Sequence, residues 1–150
     1  MNYQLTITAK ATPDTVFEAL TKGVPDWWTT HFKGSARKIR DEFIVQFDGT
    51  IKTFRVESLE PGKRVVWECL KAHIDMDRLT NKGEWVGTLI EWQIQPEGKG
   101  SRLTMTHHGL TAELQCYDVC AQGWSYFVLE SLKPMLNGQP AKPFRPVPQL

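Results

Sequence analysis

The spacing of apolar positions changes period twice along the chain. Tyr3, Leu5, Ile7 and Ala9 alternate with Gln4, Thr6, Thr8 and Lys10, a period of two that predicts a half-buried strand. In ATPDTVFEAL the pattern becomes helical, with Val16, Phe17 and Leu20 on the buried side. Thr12 is placed to cap that helix, Pro13 fits its first turn and Asp14 suits its positive end. Gly23 and Pro25 break it, and DWWTTHF predicts a second short helical turn.

The middle of the chain returns to strand-like runs: FIVQF, TFRVESL, RVVWECL, EWVGTLIEWQI and RLTMTHH, with SARKI a weaker one. Asp48-Gly49, Pro61-Gly62 and Glu97-Gly98-Lys99-Gly100 are turn signals between them. Such short connections favour antiparallel neighbours. The run from Glu84 to Gln95 reads as one long strand and predicts a strongly curved sheet.

Past Gly109 the helical period returns. Tyr117, Cys120, Ala121, Trp124, Phe127, Val128, Leu132 and Met135 make one broad apolar stripe, and Asn137-Gly138 stops it. Pro134 is expected to kink or tighten the last turn. Gly123 interrupts the stripe, although glycine inside a helix costs about 1 kcal/mol relative to alanine. A close approach of the helix backbone to the sheet or the short helices is the expected reason, with Trp124 filling the space beside it. The tail QPAKPFRPVPQL is proline-rich, hence extended, with Phe144 as its expected docking point.

These elements predict an α+β fold in which a curved antiparallel sheet covers its apolar face with the long helix. Residues 1–138 form one domain in this reading, followed by the tail at 139–150. The more apolar face of each strand points inward. Phe43, Val45, Phe47, Phe54, Val56, Val65, Trp67, Cys69, Ile90, Trp92, Ile94, Leu103, Met105 and His107 lie on that face, and Trp28, Phe32 and the helix stripe close it. Such a set serves as a packed core or as a pocket wall. The chain carries 6 tryptophans, and semi-polar members such as Trp67, Trp92, Trp124, Tyr117, His107 and the thiols favour a pocket. The expected ligand-binding residues are therefore Trp28, Phe32, Val45, Phe54, Trp67, Cys69, Trp92, Met105, His107, Tyr117, Cys120 and Trp124.

A net charge of +1 gives no electrostatic case for nucleic acid or an anionic membrane. No run approaches the ~18–20 apolar residues of a membrane span, and the N-terminus has no signal-peptide pattern. Cys69, Cys116 and Cys120 are an odd count without framework spacing, which suggests reduced thiols and a cytoplasmic protein. His107 and His108 point to opposite faces of a strand, and Cys116 and Cys120 lack any accompanying metal motif, so no metal or cofactor is expected. Asp75 and Asp77 in HIDMDRLTNKGE are a fragment of a calcium loop without its remaining ligands; they read as a solvated loop. His107 is the one weak candidate for acid–base work.

ATPDTVFEALT before a tryptophan pair, ESLEPGKRVVWE, GTLIEWQIQPEGKGSRLTMTHHGL and the closing GWSYFVLESLKPML together resemble the START-like (SRPBCC) superfamily. Within it they resemble the branch of activator of heat-shock protein 90 ATPase homologues. The resemblance implies a helix-grip fold: seven antiparallel strands wrapped around the C-terminal helix, enclosing a deep cavity. It implies binding of a small apolar molecule, since superfamily members hold lipids, sterols or polyketides. It leaves two alternatives, an aromatase/cyclase-type enzyme or a chaperone-associated module contacting partners through an exposed Trp27 or Trp28 and the tail. A chaperone or a second copy of the chain is then the expected protein partner. The branch has no universal catalytic motif to carry over, so an enzyme is the less favoured reading.

Overall fold

The computed structural model of the protein describes residues 1–146. Strand β1 (Tyr3–Ala9) leads into helices α1 (Pro13–Ala19) and α2 (Val24–Trp27). Strands β2 (Phe32–Gly34), β3 (Glu42–Phe47), β4 (Thr50–Glu60), β5 (Arg64–His73), β6 (Leu89–Glu97) and β7 (Gly100–His108) follow. After β7 comes a continuous helix made of α3 (Tyr117–Phe127), a wider π turn (Val128–Leu132) and α4 (Lys133–Leu136).

The seven strands form one antiparallel sheet in the order β1-β7-β6-β5-β4-β3-β2. The hairpins are local, while β1 returns to pair with β7, Tyr3 opposite His107. Register shifts between β4 and β5, at Thr53/Phe54 and Val56/Ser58, bend these strands, because an unpaired extra residue adds local twist. The helix therefore sits in the concave face. Period two holds across that face: Phe43 and Val45, Phe54 and Val56, Ile90, Trp92 and Ile94, and Leu103, Met105 and His107 are all buried.

Local signals explain the helices. Thr12 caps α1 by accepting a hydrogen bond from the Thr15 amide, with Pro13 in the first turn. The π turn lies immediately before Lys133-Pro134. Proline has no N–H for the carbonyl four residues back and its ring crowds that carbonyl, so the helix widens there instead of kinking. Ser131 on the wide turn donates to the Trp27 carbonyl at 2.6 Å and accepts from the Lys142 amide at 2.8 Å. One hydroxyl thus ties the helix to α2 and to the tail.

Three expectations are corrected. Glu84–Gln95 is not one strand: β6 begins at Leu89, and Gly87, with φ of +85°, turns the chain before it. SARKI is not a strand; the short edge strand is Phe32–Gly34, which places Phe32 in the sheet instead of in a helical turn. Trp27 and Trp28 are not exposed, being 0% and 3% accessible. Trp27 lies under α1, its indole N–H donating to the Ala19 carbonyl at 2.8 Å. The tail runs back along the molecule through a parallel bridge between Thr29 and Phe144. Positions 147–150 of the predicted tail lie outside the described residues. No helix among the described residues is long and apolar enough to cross a membrane.

Candidate functional site

Sheet and helix do not close on each other completely. Between them lies a cavity of about 290 Å³. The sheet contributes Phe47, Thr50 and Lys52; the connection from β5 to β6 contributes Ile74, Met76 and Trp85. Val119, Cys120, Gly123, Trp124 and Phe127 line it from one face of α3, Trp28 from the end of α2 and Phe144 from the tail. Three indoles form its most continuous surface. Trp28 stacks on Trp124 with centroids 5.1 Å apart, and Trp124 on Trp85 at 5.8 Å with planes 11° apart.

The β5–β6 connection is held in place by the start of α3. Glu84 accepts hydrogen bonds from the Gln115 and Cys116 amides, both at 3.0 Å, which supplies acceptors the first helical turn lacks internally. Arg78 donates to the Gln115 carbonyl at 2.6 Å. These bonds fix Trp85, the next residue, against Trp124 and over Lys52.

Gly123 has a different role from the one expected. A Cβ at this position would meet nothing within 4 Å. The glycine does not admit a close helix contact; it leaves the cavity wall bare.

Lys52 lies on the inner face of β4, in line with Phe54 and Val56, and is only 8% accessible. Its ammonium sits 3.4 Å from the centroid of the Trp85 ring and 5.8 Å from that of Phe47. Burial pushes its pKa down, and the neighbouring thiols of Cys120, Cys69 and Cys116 pull it back up. A face-on indole favours the charged form as well.

The thiols divide by environment. Burial pushes Cys69 up to about 12. Cys116 and Cys120, one turn apart, shift in opposite directions: the Cys120 thiol beside it and burial push Cys116 up, while the Cys116 thiol lowers Cys120 to about 7. Burial opposes that fall; the Lys52 charge and the Trp85 indole N–H, 3.2 Å from Cys120 Sγ, support it. Cys120 also reaches the cavity. Iodoacetamide applied to the folded protein at pH 8 is expected to modify Cys120 well before Cys69 or Cys116, as read by peptide mass mapping. Equal labelling of all three would contradict this assignment.

His107 is buried and satisfied. Its Nδ1 accepts from the Trp124 indole N–H at 3.0 Å, so Nε2 carries the hydrogen and donates to Thr88 Oγ1 at 2.9 Å. Thr88 passes its own hydrogen to the Trp85 carbonyl at 2.6 Å. Burial, with the Lys52 charge adding to it, pushes the imidazole down to about 3. Both nitrogens are engaged, and the ring is not on the cavity wall.

Of the residues expected to bind a ligand, Trp28, Cys120 and Trp124 line the cavity. Val45, Phe54, Trp67, Cys69, Trp92 and Met105 belong to the packed core behind it, and His107 is fully buried there with them. The indole N–H groups of Trp67 and Trp92, in that layer, have no hydrogen-bond partner among the described residues. Phe32 stacks on Phe43 near the sheet edge, and Tyr117 begins α3 away from the cavity. Lys52, Trp85, Phe47, Phe127, Ile74 and Met76 were not singled out as binding residues, and Phe144 was expected only as the tail's docking point. Extending the inward alternation of Phe54 and Val56 back by one step reaches Lys52. No group of three or more metal-ligating side chains occurs among the described residues.

Residues 10–137 match the family described as Activator of Hsp90 ATPase homolog 1-like protein. Among solved structures, the chain is similar to the Aha1 dimer from Colwellia psychrerythraea, with 27% identity over 91% of this chain and 96% of that one, and a TM-score of 0.75. It shares its fold with DynU16, a protein of the dynemicin biosynthetic locus, at 19% identity over 97% of this chain and 51% of that one, TM-score 0.71. The same fold occurs in MLL2253 from Mesorhizobium loti, at 16% identity over 86% of this chain and 92% of that one, TM-score 0.68. Among curated proteins none matches the chain.

Proposed function

Because the chain belongs to the Activator of Hsp90 ATPase homolog 1-like family, a START-like branch with the helix-grip fold, we propose that it binds a small aromatic or otherwise apolar molecule in the cavity between sheet and helix. The observation that carries this reading is the bare wall at Gly123. A larger residue there would fill apolar space and favour the helix, yet the position is a glycine facing about 290 Å³ of aromatic-lined cavity. A packed core has no use for such a position, since unfilled apolar volume is destabilising. The volume suits a guest of two or three fused or linked rings, near the lower end of small-molecule sites.

The test uses N-phenyl-1-naphthylamine, a neutral aromatic probe whose emission rises on leaving water. Wild type is expected to bind it saturably. Gly123→Phe, which places a ring in the cavity, is expected to weaken binding at least tenfold while thermal stability holds or rises, because the helix loses its glycine. Saturable binding that Gly123→Phe leaves unchanged would place the probe elsewhere and sink the reading.

A second reading rests on the family itself and on the Aha1 dimer to which the chain is similar: a chaperone-associated module acting as a dimer or beside a heat-shock ATPase. Light scattering after gel filtration, with an ATPase assay on a purified Hsp90, tests it. A monomer without effect on the ATPase would remove it. The third expectation, acid–base catalysis through His107, receives no support from a ring whose nitrogens are both bonded inside the core.

A further inference from the structure

Lysines are almost never fully buried unless paired, and a lysine at a surface extends its ammonium to water along its flexible stem. Lys52 does neither. It is 8% accessible, it lines the cavity, and among the described residues its ammonium takes part in no hydrogen bond and no ion pair. What it has is the face of Trp85 at 3.4 Å. The carboxylates that adjoin wall residues along the chain, Glu84 beside Trp85 and Asp75 between Ile74 and Met76, are engaged elsewhere. Glu84 is bonded to the Gln115 and Cys116 amides, and the Asp75 carboxylate packs against Gly49 rather than on the wall. The only other ionisable group on the wall is Cys120, which already accepts from the Trp85 indole. A cation with no hydrogen-bond acceptor, and only thiols as its charge partners, is costly to hold in an aromatic cavity, and a bound anion supplies the acceptor such a site lacks.

From this geometry we propose that Lys52 is the anion-recognising residue of the cavity, and that the ligand is a monocarboxylate with a compact aromatic body. The carboxylate meets Nζ, and the rings lie against Trp28, Trp85 and Trp124. A single negative charge fits because the wall offers one compact cation, without an arginine fork or any second lysine. A phosphate would bring charge that nothing here offsets. The Trp85 face then has two uses: it orients the ammonium while the cavity is empty, and it flanks the ion pair once a ligand arrives.

This proposal rests on the cavity being a ligand site, so the test separates the two. 2-Naphthoate and its neutral isostere 2-naphthamide are titrated into wild type by calorimetry at pH 7, alongside N-phenyl-1-naphthylamine. The carboxylate is expected to bind at least tenfold more tightly than the amide. In Lys52→Met that preference is expected to vanish through loss of naphthoate affinity, with naphthamide affinity retained. The wild-type comparison does not depend on the variant folding. Equal affinity for acid and amide, or no binding of either while the neutral probe binds, would overturn the role of Lys52 and leave the cavity as a ligand site. Failure of all three compounds to bind would remove both.

Discussion

Trp28→Ala is expected to lower the unfolding free energy by about 3–5 kcal/mol, the range for deleting a large aromatic from a core. Trp28 follows α2, yet its ring is the hub of the interior. Its centroid lies 5.1 Å from Trp124, 5.7 Å from Trp27 and Phe54, and 5.8 Å from Phe47 and Trp67. Those neighbours come from α2, α3, β3, β4 and β5, so one truncation uncouples helix from sheet. Its carbonyl also accepts from the Phe144 amide at 2.9 Å, which anchors the tail. The void left behind would open into the existing cavity, where the surrounding rings cannot collapse to fill it. Trp28→Phe keeps a ring and is expected to lose about half as much. Urea unfolding followed by far-UV circular dichroism reads both values. A loss under about 1 kcal/mol for Trp28→Ala would mean the stack does not couple the two layers.

The sequence carries the fold because its signals agree across levels. Period two marks the strands, turn dipeptides mark the hairpins, and a single helical stripe remains to cover the sheet. The cavity was harder to read, and particular residues show why. Lys52 extends the alternation of Phe54 and Val56, but a charged side chain one step before an apolar run marks the strand's edge more often than its interior. Trp85 falls in EWVGTLIEWQI, where the apolar phase slips: Trp85 occupies odd positions, while Ile90, Trp92 and Ile94 occupy even ones. That slip between Gly87 and Leu89 is where the chain turns, and reading through it as one strand hides the residue that covers Lys52. Gly123 was conspicuous, but glycine is compatible with a close contact and with an empty wall. Only the distance from helix to sheet decides between them, and sequence does not hold that distance. Trp27 was hidden for a related reason, since α1 packs over a face that a lone helical turn would leave open.

Acidification is expected to cost the protein roughly 2 kcal/mol between pH 6.5 and 4.5, and His107 is the reason. Burial, reinforced by the Lys52 charge, lowers the folded-state pKa of this imidazole from 6.5 to about 3. The folded state therefore keeps His107 neutral where the unfolded chain takes up a proton. Its contribution is fully present above pH 6.5 and falls by about 1.4 kcal/mol per pH unit until it is lost near the folded value. The hydrogen bonds explain why the fold resists that proton. Nδ1 receives the Trp124 indole hydrogen, so protonating it would set two donors against each other inside the core. Glu91 and Asp41 are held below their ordinary values of 4.5 and 3.8, so their losses begin at lower pH. Lys52, also lowered from 10.5, loses its share as pH falls from the alkaline side. His107→Gln isolates the histidine, because an amide can accept from Trp124 and donate to Thr88 without titrating. Wild type is expected to lose about 2 kcal/mol more than His107→Gln between pH 6.5 and 4.5 in urea unfolding. Parallel curves for the two proteins would mean that the imidazole takes up its proton in the folded state, and that the Trp124–His107–Thr88 chain does not hold it neutral.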